Sequence, residues 1–355
     1  MPYCRKCGAQ LEEEARFCHV CGTPVAAVTV PAMPRRGRPL LLPAIILIAI
    51  LVTAVVVGVL VFLPFNAVHF NQTNQVAKAG VNNLILDFQA DVAQVNVFFM
   101  SLPGKMVVLN VTADGYVGIL DDPNRTVNVT FNHQTANNSE VVTSSVSRIS
   151  AWPLSYNLNV ICDVYIDPSA KSSLFIHSGV GQIVLNADAA TTIQSLNLET
   201  TTGSIDASVA QGVVITGNVS AKATTGGVTF NWEQADTEGN VSVNLKSTTG
   251  TVNLYVSRNG RLSGNVSIDA GTTTGSVNLA MTIHDDAGAK IESHTSVGGI
   301  SVEQGGFSGN QSLLQSTNYP AGSNFLVKLA TTTGGIRIDA SYNSSVVLSS
   351  GPYNE

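Results

Sequence analysis

Glycine recurs along this chain at a nearly constant interval. Gly181, Gly203, Gly226, Gly250, Gly275 and Gly298 follow one another at 22, 23, 24, 25 and 23 residues, and Gly334 closes the series after 36. Intervals of this size identify a solenoid, in which each repeat buries its apolar face only by stacking on its neighbours. The long last interval reads as a rung with an insertion of about 13 residues, placed within 304–322.

Alignment on the glycine exposes strands. Two residues after it stand Ile183, Ile205, Val228, Val252, Val277, Ile300 and Ile336; four after it stand Leu185, Ala207, Phe230, Leu254, Leu279, Val302 and Ile338. Seven before it stand Leu174, Leu196, Val219, Val243, Ile268, Ile291 and Val327. This is the period-2 pattern of strands with one buried face. The apolar phase shifts at the glycine, from odd offsets before it (−7, −5, −3, −1) to even ones after it. One extra residue is accommodated there, as in a bulge or corner whose backbone angles favour Gly. "TTTGSI", "ATTGGV", "STTGTV", "TTTGSV" and "TTTGGI" are thus one corner repeated.

Offsets −1 and −3 carry Thr202 with Thr200, Thr225 with Ala223, Thr249 with Ser247, Thr274 with Thr272, and Thr333 with Thr331. Stacked inward, these hydroxyls are expected to bond to neighbouring rungs or corner backbone. An ice-binding or ligand-binding Thr face is the alternative and requires them to point outward. Seven rungs about 4.8 Å apart predict a stack of roughly 29 Å. Residues 82–167 alternate without the period, as in Leu84, Leu86, Phe88 and Val127, Val129, Phe131, and are expected to cap the first coil's edge. In "YNLNVICDVYID" Cys162 shares parity with Tyr156, Leu158, Val160, Val164 and Ile166, which places an inert thiol on the apolar face.

The Thr/Ser-x-x-Gly-x-Ile/Val corners, with "LNVICDVYIDPSAKSSLFIHSGVGQIVL" before them, resemble the adhesin family of β-solenoid domains found in bacterial and archaeal surface proteins. The resemblance covers about Val81 to Tyr342. It implies a solenoid used for binding or structure and says little about any one activity.

At the other end, Cys4-x2-Cys7-x10-Cys18-x2-Cys21 carries Gly8 and Gly22 behind its two pairs. Each Cys-x-x-Cys-Gly offers two thiolates on one tight turn, and two such turns complete a tetrahedral Zn2+ site. Disulfides are the competing reading, disfavoured in a reducing compartment. "YCRKCGAQLEEEARFCHVCGTPV", from Tyr3 to Val25, resembles the short zinc-ribbon domain at the N-terminus of many prokaryotic membrane proteins. The resemblance implies one structural zinc ion, with all four places filled. His19, between two ligands, is expected to face solvent, a substitute ligand being the alternative. So short a segment buries too little apolar area to fold without metal.

From Leu40 to Leu63 run 24 residues without a charge, about 36 Å as a helix. This length predicts a single membrane span. Arg35, Arg36 and Arg38 precede it and no basic residue follows until Lys78. The positive-inside rule then puts the N-terminus in the cytoplasm and the rest outside, as a retained signal anchor in the cell membrane.

Composition narrows the function classes. The chain is 44% hydrophobic and only 12% charged, too apolar for a disordered protein. Residues 1–39 hold six basic and three acidic residues, whereas the remainder holds 12 and 21. That acidic body excludes nucleic acid as an expected partner. There is no Gly-x-Ser-x-Gly, P-loop or His-Glu-x-x-His motif, and His69, His133, His177 and His294 stand alone. Ten Asn-x-Ser/Thr sequons, all after residue 64, offer glycosylation sites.

The expected organisation is a zinc ribbon (1–26), a basic linker (27–39), a transmembrane helix (40–63), a linker (64–80), a β lead-in (81–170), a parallel β-solenoid of about seven rungs (171–345) and a tail (346–355). The mainly β chain is expected to be a membrane-anchored, adhesin-like surface protein and not an enzyme. Its metal ligands are Cys4, Cys7, Cys18 and Cys21. Expected partners are the bilayer, a surface polymer or protein, and a cytosolic protein at the ribbon. Two alternatives remain: an envelope sensor coupling solenoid to ribbon, and a β-helix carbohydrate-active enzyme using the pairs Asp121-Asp122 or Asp285-Asp286.

Overall fold

The computed structural model describes residues 2–25, 41–62, 64–78, 80–118, 122–149, 157–257, 262–284 and 286–343. Linker residues 27–39, with Arg35, Arg36 and Arg38, and the tail 346–355 lie outside them, as do Asp121, Asp285 and Tyr156. The chain divides into two compact units, Met1–Val59 and Leu60–Glu355.

The membrane expectation is overturned. A helix runs Leu41–Phe62. No helix among the described residues is long and apolar enough to cross a membrane. The transmembrane helix in the predicted fold, the signal anchor, the bilayer as partner and the single-pass cell-membrane location go with it. So does the sensing alternative, which needs a crossing.

The larger unit is a stack of parallel rungs. Each rung contributes one strand to a 14-stranded sheet, turns at its glycine, and contributes the next strand to an 11-stranded sheet. Thr192–Thr202 and Ile205–Val209 flank Gly203 in this way, and the next rung, Val219–Thr225 and Val228–Glu233, lies parallel to both. Register runs glycine on glycine, so columns of equal offset stack. Columns −7, +2 and +4 are buried, from Leu174 to Val327 and from Ile183 to Ile338. Only Ile300 and Val302 are half-buried, because their strand Ile300–Gly305 ends the 11-stranded sheet.

Two sequence expectations are corrected here. Rungs do not follow chain order at the C-terminal end. Asn324–Thr333 lies between Val266–Thr274 and Gly288–Val297, and Ile336–Asn343 lies between Val277–His284 and Ile300–Gly305. The chain therefore skips a place, builds the Gly298 rung, and returns to fill the gap with the Gly334 rung. The residues read as an insertion form a hairpin, Phe307–Asn310 and Leu313–Ser316, that covers the outer edge of Gly288–Val297. Nor are there only seven rungs. Asn83–Val92 with Gln94–Phe99 stacks below the Gly181 rung, and Ser139–Arg148 with Asn157–Ile166 stacks below that.

The lead-in does cap the stack. Lys105–Gly118 and Pro64–Ala77 add antiparallel strands beyond Asn157–Ile166, and Val127–Ala136 does so beyond Ser139–Arg148. The expected linker 64–80 thus contains a paired strand. Cys162 is fully buried and unbonded to another cysteine. Burial, then the Asp163 carboxylate, push its thiol up to about 12, so it is inert.

Candidate functional site

The N-terminal unit builds its metal centre from two copies of one turn. The Gly8 amide donates to the Cys4 carbonyl (2.9 Å) and the Gly22 amide to the Cys18 carbonyl (2.8 Å). Both glycines take left-handed φ, +66° and +64°, where a side chain is strained. The turn is closed below by Cys4 N–H to Ala9 and Cys18 N–H to Thr23, so each pair of sulfurs is aimed at one point.

The four sulfurs of Cys4, Cys7, Cys18 and Cys21 lie within 4.8 Å of one another. Cys4 Sγ is 3.6 Å from Cys21 Sγ, and Cys7 Sγ is 3.6 Å from Cys18 Sγ. A tetrahedron with ~2.3 Å Zn–S bonds has edges near 3.8 Å, whereas a disulfide requires about 2.05 Å. The geometry is that of one structural Zn2+ site with four thiolates and no free position. Amides of Lys6 and Cys7 lower the Cys4 thiol, and the Thr23 hydroxyl and amide bring Cys21 down to about 6. Cys7 is pushed up to about 12 even though the Ala9 amide works the other way, because the neighbouring Cys21 sulfur disfavours a second anion. A divalent cation removes that conflict. His19 is exposed and outside the cluster.

On the solenoid, the corner is explained by contact. The seven glycines have φ between +135° and +151°. A Cβ on Gly226 would lie 1.8 Å from the Gly203 carbonyl oxygen, and one on Gly334 would lie 1.7 Å from that of Gly275. Hydroxyls at −3 cap these carbonyls one rung away: Thr200 to Gly181 (3.1 Å), Ser247 to Gly226 (2.8 Å), Thr272 to Gly250 (2.9 Å) and Thr331 to Gly275 (3.0 Å).

Offset −1 departs from expectation. Thr202, Thr225, Thr249, Thr274 and Thr333 are exposed, and so are their −2 neighbours Thr201, Thr224, Thr248, Thr273 and Thr332. The close approach of successive glycines leaves no interior space at the corner, so both side chains turn outward. Each −1 residue keeps only its backbone in the stack, as where the Gly203 amide donates to the Thr225 carbonyl.

Of the two acidic pairs only Asp122 and Asp286 fall among the described residues. Asp122 accepts the Asn124 amide at 2.9 Å and caps a short 3-10 turn, Pro123–Arg125. Asp167, which the sequence did not single out, is buried. It accepts from the Leu102 amide (2.9 Å), the Ser169 hydroxyl (2.6 Å) and Lys78 Nζ (2.9 Å). Also missed was an open cavity of about 540 Å³ on the 11-stranded sheet, lined by Gln211, Glu233, Gln234, Tyr255, Ala280 and Thr282 among others. The fifth residue after each glycine was the signal that could have located it.

Residues 3–25 match the zinc-ribbon domain family. No curated protein matches the chain. Among solved structures, a candidate cell adhesion protein from Clostridium sporogenes ATCC 15579 is 14% identical, with a TM-score of 0.37, covering 77% of this chain and 99% of its own. A candidate adhesin from Bacteroides fragilis NCTC 9343 is 13% identical, with a TM-score of 0.32, covering 78% and 99%. Likeness this slight is a similarity alone and carries nothing to activity.

Proposed function

We propose that the solenoid is an adhesin-like binding module for an extended, repetitive partner, and that the zinc ribbon is a separate structural unit. One observation carries this reading. Ten exposed threonines form two columns over five successive rungs, at offsets −2 and −1, with Thr202, Thr225, Thr249, Thr274 and Thr333 in register. A face that repeats its donors and acceptors about every 4.8 Å suits a partner that also repeats.

Co-sedimentation of the full chain with insoluble cellulose, chitin and xylan tests it. Retention on at least one, reduced about tenfold when Thr224, Thr248 and Thr273 are replaced together by Lys, is expected. No retention on any of the three counts against the reading. The same incubations, assayed for released reducing sugar, address the expectation that the chain is not an enzyme.

A further inference from the structure

The offset +5 column of the 11-stranded sheet runs Tyr165, Phe98, Asn186, Ser208, Asn231, Tyr255, Ala280, Asp339. Where two aromatics are neighbours in this column they stack: the Phe98 and Tyr165 rings lie 5.6 Å apart at 22°. Tyr255 occupies the same kind of place and is 46% exposed. Its neighbour on one side is Asn231. On the other it is Ala280, which has a single methyl where Tyr165 has a ring. Asp339 stands one rung further, so the space over Tyr255 spans two rung intervals, about 9.6 Å. Tyr255 and Ala280 both line the 540 Å³ cavity.

The rim of the slot is polar. Gln211, Glu233 and Gln234 come from the loop and strand ends beside it, and Thr282 from the strand of Ala280. Among the described residues, no side-chain hydrogen bond engages Tyr255, Gln211, Glu233 or Gln234. Thr282 is already tied to Ser341 at 3.0 Å. The floor is firm, because buried Trp232 donates its indole N–H to the Ala235 carbonyl and packs edge-on against Phe230 and Phe325. A flat ring with an apolar face, an edge of hydroxyls and no negative charge fits this place. The face would lie on the phenol ring, the hydroxyls would meet the Gln211 and Gln234 amides and the Glu233 carboxylate, and Glu233 would repel anions.

We propose that Tyr255, with the gap left by Ala280, is a stacking subsite for one pyranose ring of a neutral polysaccharide. This rests on the binding-module reading above and names its ligand class.

The test uses the full chain and the Tyr255→Ala and Ala280→Tyr variants. The second should fill the slot with a ring pair like Phe98 and Tyr165, leaving the fold intact as judged by circular dichroism and melting. Saturation-transfer NMR and titration calorimetry are run with cellohexaose, xylohexaose and mannohexaose, and with octagalacturonate as the charged probe. At least one neutral hexasaccharide should bind. Each variant should weaken that binding about tenfold or more, and octagalacturonate should bind at least tenfold more weakly than the neutral probe. No transfer from any neutral probe overturns the subsite, as does neutral-probe binding unchanged in both variants, or a preference for octagalacturonate. If wild type and Ala280→Tyr are retained equally on an insoluble polymer, the subsite fails while the binding module stands. If nothing is retained or bound, both fail.

Discussion

At the scale of single residues, the corner glycines and one buried aspartate set the tightest limits. Gly226→Ala places a methyl inside the carbonyl of Gly203 at a backbone angle of +135° that side chains rarely adopt. We expect it to cost more than about 3 kcal/mol in urea unfolding, whereas Gly299→Ala, whose Cβ would meet nothing within 4 Å, should sit near wild type. Asp167 behaves differently because its effect depends on pH. Burial raises its pKa, but Ser169, Lys78 and the Leu102 amide outweigh burial and hold the carboxyl well below the usual range. A depressed carboxyl stabilises the fold above its unfolded pKa, about 4, and loses that contribution as pH falls toward its folded value. Asp167→Asn should therefore cost about 2 kcal/mol at pH 7. The difference from wild type should shrink in unfolding curves taken below pH 4.

At the scale of elements, the ribbon and the rungs obey different energetics. The ribbon core is only Cys4, Leu11 and Cys18, so the metal supplies its folding free energy. A strong chelator should release a single zinc per chain and collapse the NMR signals of residues 3–25. The β circular dichroism of the rungs should not change, since among the described residues the cysteine cluster includes no rung residue. Much of this level was legible beforehand, because thiolate spacing and apolar columns are local properties. The seven corners and the −3 hydroxyls could be located for that reason. Offset −1 could not, because the −1 threonine is the last residue of its strand, paired through its backbone, and the corner turns its side chain outward against the parity of −3. Rung order was hidden too: Gly275 presents its carbonyl to the −3 hydroxyl of whichever rung arrives next, and the Gly298 and Gly334 rungs both carry a threonine there, Thr295 and Thr331. The subsite at Tyr255 depends on Ala280, 25 residues later, and so on a neighbour that only stacking supplies.

At the scale of the whole solenoid unit, the question is how a stack of unpaired backbone stops. The 14-stranded sheet ends on the Phe307–Asn310 and Leu313–Ser316 hairpin, which pairs antiparallel with Lys290, Ile291 and Glu292. Phe307 and Leu314 tuck into the core behind it. Replacing 306–317 by a short Gly-Ser link exposes the Gly288–Val297 edge. We expect concentration-dependent self-association in sedimentation velocity, where the intact chain sediments independently of concentration.

The interposed Gly334 rung also bears on synthesis. Until its strands have left the ribosome, the Gly298 rung has no correct floor. It meets instead the bare Gly275 rung, whose register it matches as well as the proper occupant does. A growing chain stopped before Asn324 should thus close on itself in the wrong order, and the last twenty residues of the stack must pry that contact open. Once seated, they are held from both sides, so unravelling should not begin at the Gly334 rung.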